Sequence, residues 1–174
     1  MQFEPFQDRL SRDIRNDLSA TIVTVLDQLD LSEAQEVADR YLSRDIKSYY
    51  KVYITDRIVR YQLALEIISK GSVDTFWRAL VLWDQKLFFE VHEILESAWY
   101  QATGDEKKIL QAMIRAAGVY IKLEYGDTEA ARKMANRALP VLVKHRAYLD
   151  RYFNSARLIE SLKDFNVEIP FLLI

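Results

Sequence analysis

Apolar residues recur along this chain at intervals of three and four, the period of an amphipathic helix, and strand alternation is almost absent. The first such stretch covers about residues 8–29, with Ile14, Leu18, Ile22, Val25, Leu26 and Leu29 on one face. Ser32-Glu33-Ala34-Gln35 then reads as a capping box that opens a second helix. Its pattern continues to Lys70, which would make ~55 Å of unbroken helix at 1.5 Å per residue. That length is awkward in so short a chain and predicts a break near Thr55-Asp56. Gly71 stops the pattern, and Ser72 is placed to cap a helix to about Gln85. Further helices are predicted over about 87–102, closed by Gly104, over 105–125, closed by Gly126, and over 128–149, capped by Asp127. Pro140, inside the last of these, removes a backbone donor and predicts a kink. A short helix over about 155–163 precedes the apolar tail Ile169-Pro170-Phe171-Leu172-Leu173-Ile174.

The pattern is all-α: a compact multi-helix bundle of about eight helices built on antiparallel helical hairpins. Gly71 divides it into an N-terminal helical extension, residues 1–70, and a core domain, residues 71–174, that ends in the apolar tail. Composition narrows the picture. With 4 Gly and 3 Pro the chain cannot supply the turns of an all-β fold. The absence of Cys excludes disulfides, thiolate zinc sites, iron–sulfur ligation and a Cys nucleophile. The scattered glycines form no phosphate loop, and no Ser sits in a nucleophile elbow. A net charge of -2 gives no reason to expect nucleic acid or an anionic membrane as partner. No apolar run approaches the ~18 residues of a membrane span. Met1-Gln2-Phe3-Glu4-Pro5-Phe6 has neither the basic nor the apolar region of a secretory signal, so the expectation is a soluble cytoplasmic protein. Phe165, Val167, Ile169, Phe171, Leu172, Leu173 and Ile174 carry too much apolar surface to leave in water. The tail should cover either its own helices or a second subunit, the latter a route to a homo-oligomer.

Two patches stand out chemically. Arg40, Arg44, Lys47 and Lys51 recur at helical spacing among Tyr41, Tyr49, Tyr50, Tyr53 and Tyr61. Bases interleaved with aromatics can hold a single strand of nucleic acid by phosphate pairing and stacking. The plainer reading is a solvated face opposite a Tyr/Ile core stripe, and that is the expectation.

The sharper patch is Phe88-Phe89-Glu90-Val91-His92-Glu93-Ile94-Leu95-Glu96-Ser97-Ala98-Trp99. At 100° per residue, Phe88, His92, Leu95, Glu96 and Trp99 fall within one arc, with Glu93 at its edge and Glu90 roughly opposite. That arc should face the core, so its ionisable groups need partners or a cavity. The spacing differs from the H-E-x-x-H zinc motif in its last position, Glu96. His92 and Glu96 supply two ligands where a usable site wants three, so no metal site is favoured. Reflecting the two helices about the turn at Gly104 levels Glu96 with Gln111 and His92 with Arg115. Gln111, Ile114, Arg115, Gly118 and Lys122 share a face, and Gly118 leaves room for a neighbouring helix. Arg115 can pair with Glu96 or Glu93, Gln111 can add a hydrogen bond, and Trp99 closes the stripe on the turn side. The expected constellation is therefore His92, Glu93, Glu96, Trp99, Gln111 and Arg115.

The H-E-x-x-E stretch ending in Trp99, then Gly104, then Lys108-Ile109-Leu110-Gln111-Ala112-Met113-Ile114-Arg115-Ala116-Ala117 and the turn Gly126-Asp127 together resemble a helical family, domain of unknown function 309. The resemblance covers roughly residues 75–150 and leaves the first 70 as an addition. One departure is Ala112, where the family has Gly after the Gln. The resemblance implies a compact all-α fold and no assigned activity, substrate or cofactor.

Three functions compete on this reading. The leading one is a helical module whose polar cluster organises the fold or binds a small polar ligand. The second is a metal-dependent hydrolase with His92 and Glu96 as ligands and Glu93 as the general base acting on a metal-bound water. The third is an interaction module for protein or nucleic acid, acting through the N-terminal helices.

Overall fold

The computed structural model describes residues 2–165 and 168–173. Among these, ten α-helices and no strand occur. They are α1 (Arg9–Ala20), α2 (Ile22–Gln28), α3 (Ser32–Leu42), α4 (Ser48–Ile68), α5 (Thr75–Asp84), α6 (Phe88–Gln101), α7 (Gly104–Glu124), α8 (Thr128–Lys144), α9 (Arg146–Leu149) and α10 (Ser155–Lys163). The chain divides into two compact units, Met1–Ser72 and Val73–Ile174.

In the first unit, α1, α3 and α4 close on a core that includes Ile14, Leu18, Ala38, Tyr41, Tyr50 and Ile54. The stretch expected as one helix over 8–29 is two. Thr21 ends α1 by turning back, its backbone N–H and its hydroxyl both donating to the Leu18 carbonyl at 3.1 and 2.7 Å. The buried Tyr61 hydroxyl donates to the same carbonyl at 3.0 Å. Ser32 does not cap α3 but begins it. Leu31 holds the cap position, and the Asp30 carboxylate one residue earlier accepts from both the Ser32 N–H (2.9 Å) and the Ser32 hydroxyl (2.8 Å). A carboxylate oxygen that serves two donors displaces a hydroxyl that would serve one. The long pattern does break, but at residues 43–47, and α4 runs through Thr55-Asp56 without interruption.

The second unit is a series of antiparallel hairpins in which α6 packs between α5 and α7, and α7 between α6 and α8. Its centre is aromatic. The Trp83 ring meets Phe88 edge-on at 5.1 Å and Tyr120 edge-on at 5.4 Å, and Phe88 stacks on Tyr120 at 5.6 Å. Asp74, not Ser72, caps α5, accepting from the Trp77 N–H at 2.8 Å. Asp127 caps α8 as expected, accepting from the Ala130 N–H. That helix ends at Lys144, earlier than the pattern suggested, and α9 follows as a single turn. Gly104 and Gly126 both have positive φ, 59° and 77°, which suits residues without a side chain at these turns.

The C-terminal tail packs on its own unit. The Trp83 indole N–H donates to the Pro170 carbonyl at 3.0 Å. The Asp84 carboxylate accepts from two successive backbone N–H groups, Leu172 at 2.7 Å and Leu173 at 2.9 Å. Leu172 is buried and Phe171 is exposed. Val167 and Ile174, counted with the tail above, lie outside the described residues.

Candidate functional site

The sequence placed the buried arc of α6 on Phe88, His92, Leu95, Glu96 and Trp99. The structure turns that arc by about a third of a circle. Buried are Phe88, Glu90, Val91, Ile94 and Leu95. Contact with α5 on one side and α7 on the other makes the buried arc broad. Glu90, expected to point away, is 1% exposed. His92 and Glu96 are half-exposed instead, at 39% and 41%, and form an i,i+4 pair with Nδ1 3.8 Å from Oε2. That separation allows electrostatic attraction and exceeds hydrogen-bond range. Glu93 and Trp99 are half-buried.

Across the hairpin the register agrees with the reflection to within one residue. Phe88 stacks on Tyr120, and the Lys107 ammonium stands 4.1 Å over the Trp99 ring. These two contacts bracket the heights of His92, Glu96, Gln111 and Arg115. Gln111 and Arg115 are half-buried on α7, and neither side chain makes a hydrogen bond or ion pair among the described residues. The structure therefore brings His92 and Glu96 together and does not join Arg115 to Glu96 by an ion pair. Gly118, on the same face of α7, meets α8: a Cβ there would lie 2.8 Å from the Met134 sulfur. Lys122, further along, reaches Asp127 at 3.5 Å.

Among the described residues no group of three or more His, Asp or Glu gathers to hold a metal ion. His92 and Glu96 remain two donors.

The basic patch of the first unit takes a different form from the one expected. Because the helix breaks at 43–47, Arg40 belongs to α3, Arg44 and Lys47 to the connection, and Lys51 to α4, so they share no single helix face. Arg40 pairs with Asp17 at 2.8 Å, and both Arg40 and Arg44 stand over the Tyr41 ring at 5.4 Å. Tyr41, Tyr50 and Tyr61 are buried in the core. Burial and the hydrogen bond to Asp17 push the Tyr41 hydroxyl up to about 12.

One concavity was not read from the sequence. A cavity of about 330 Å³ opens beside the start of α5 and the turn of the α6–α7 hairpin. Phe76, Tyr148 and Tyr152 form one wall, with ring centroids 4.8 to 6.3 Å apart. Ala98, Ala102 and Leu110 form the other, and Asp74 and Glu106 are its acidic groups. Burial, then the hydrogen bond with Tyr148, pushes the Tyr152 hydroxyl up to about 12. Tyr148 and Tyr152 are one helical turn apart in sequence, a spacing that could have marked them. Phe76, more than seventy residues earlier, gives no local signal.

No curated protein and no solved structure gives a match to this chain. A family profile does, over the segment that carries α5, α6, α7 and the first part of α8, and so the whole His92–Glu96–Gln111–Arg115 stretch. Residues 76–134 match the family Domain of unknown function (DUF309).

Proposed function

We propose that the second unit binds a small polar ligand at the outer side of the α6–α7 hairpin, with Arg115 and Gln111 as its donors and the His92–Glu96 pair beside them. The observation that carries this reading is the state of Arg115. It is a half-buried residue whose side chain has no hydrogen bond or ion pair among the described residues. A guanidinium without a protein partner can hold an acidic ligand through two N–H groups. His92, level with it on α6, can donate to the same ligand through its second ring nitrogen while Glu96 attracts Nδ1. Glu93 and Trp99 lie on the same stretch and bound the region.

The reading predicts that a small carboxylate or phosphate stabilises the protein. Thermal unfolding of the full chain would be followed in acetate, glutamate and inorganic phosphate at constant ionic strength. Ligand at 100 times its Kd adds about 2.7 kcal/mol. Arg115→Met should abolish that gain, and Glu96→Gln should alter it. If none of the three anions raises the midpoint, or if Arg115→Met responds as the parent does, the reading fails.

A further inference from the structure

The aromatic cavity of the second unit has a chemistry opposite to that of Arg115. Its lining contains two carboxylates, Asp74 and Glu106, and no Lys, Arg or His. Its aromatic wall offers three rings, and the face of an aromatic ring attracts cations. At the edge of the wall the Arg151 guanidinium stands 4.3 Å over Tyr148 and 5.9 Å from Tyr152, so these rings already face one cation and the two carboxylates must supply the remaining attraction for a second. Tyr152, raised by burial, stays a neutral phenol at physiological pH and adds no charge of its own. The facing wall of Ala98, Ala102 and Leu110 suits alkyl groups rather than a hydrated ion. A volume of about 330 Å³ is at the lower end of the range for small-molecule sites.

We infer that this cavity binds an alkylated ammonium group, the aromatic wall and the two carboxylates meeting its charge and the aliphatic wall its methyl groups. An alkylated ammonium has two sources, a free small molecule of the choline type and a methylated lysine side chain of another protein. Both present the same group to the cavity. A metal ion is not the occupant this lining favours, since aromatic and alkyl groups replace the oxygen ligands that a hard cation needs.

The test uses the full chain and isothermal titration with three probes: choline, its neutral isostere 3,3-dimethylbutan-1-ol, and a short peptide containing trimethyllysine. The two small probes share shape and differ in charge. Choline should bind about tenfold or more tighter than the alcohol. The double variant Asp74→Asn with Glu106→Gln keeps an acceptor at the α5 cap and removes both charges, and it should lose about tenfold in affinity for the cation. Tyr152→Leu should weaken binding by a similar factor, and unchanged helical circular dichroism would show that the fold survives. A peptide that binds at least tenfold tighter than choline assigns a protein side chain as the source; comparable affinity for the two assigns the free small molecule. Equal binding of choline and the alcohol, no saturable binding of either cation, or full affinity in the Asp74/Glu106 variant would each overturn the inference. Phosphate and carboxylate binding at Arg115 is read by different probes and variants, so the two sites fail separately.

Discussion

Two aspartates show how a single carboxylate is used in opposite ways. Asp8 caps α1 and accepts from the Ser11 and Tyr50 hydroxyls at 2.7 Å each. The Ser11 hydroxyl, then Tyr50, holds its pKa down at about 2, against 3.8 for an ordinary Asp. A depressed carboxylate contributes stability that is complete above the unfolded value and is lost as pH falls from about 4 to about 2. The expected outcome for Asp8→Asn is lower stability at neutral pH and a flatter acid limb in that window, read by circular dichroism. Asp84 is the converse: burial raises its pKa, and the hydrogen bonds from Leu172 and Leu173 only partly oppose this. The sign reverses with it. Protonation of Asp84 favours the folded state, so its ionisation lowers stability as pH rises from 3.8 to its raised folded value. The carboxylate nevertheless fixes two amides, so Asp84→Ala should cost about 1–3 kcal/mol and leave the tail open to limited proteolysis near residues 168–173. Residues of this kind were partly legible. Asp127 stood one position before a clear apolar period and could be read as a cap. Asp30 and Asp74 were passed over because a Ser follows each by two residues or precedes it by two, and only geometry decides which side chain reaches the N–H.

At the scale of the helix, the α7–α8 contact at Gly118 yields a prediction with two opposing parts. A methyl at Gly118 removes the entropic penalty of glycine in a helix, a gain of roughly 0.5–1 kcal/mol, and presses on the Met134 sulfur at 2.8 Å. Methionine is flexible and can yield. Gly118→Ala should therefore be close to neutral. Gly118→Val should lose about 1–3 kcal/mol, with part of the loss recovered when Met134→Ala is added. Additive losses in the double variant would show that the two positions do not touch. The register of the α6–α7 hairpin was readable because two α-helices rise equally per residue and the turn is short. The buried face of α6 was not. Phe88, Leu95 and Trp99 suggested one apolar stripe, while packing against two neighbours selected another, centred on Val91 and Ile94. The break after Leu42 carries neither Gly nor Pro, so nothing local announced it.

At the scale of the whole chain, each unit has its own core, and no helix among the described residues is long and apolar enough to cross a membrane. A chain of residues 73–174 alone is expected to unfold cooperatively with the Trp83–Phe88–Tyr120 cluster intact, read by near-ultraviolet circular dichroism. A sloping, non-cooperative transition in that piece would count against two self-sufficient units. The helical class was legible throughout, since period and turn supply agree over the entire sequence. The cavity walled by Phe76 and Tyr148 was not, because its parts come from distant segments. The hold of Asp84 on Leu172 and Leu173 joins positions 88 and 89 residues apart, whereas the α6–α7 and α7–α8 hairpins join near neighbours. Closing so long a loop adds little to the equilibrium cost but waits on a slow search. The tail should thus be late to order during refolding and early to fray on heating. Its release would uncover the Trp83 indole, so emission from that ring should report the loss before the helical signal changes.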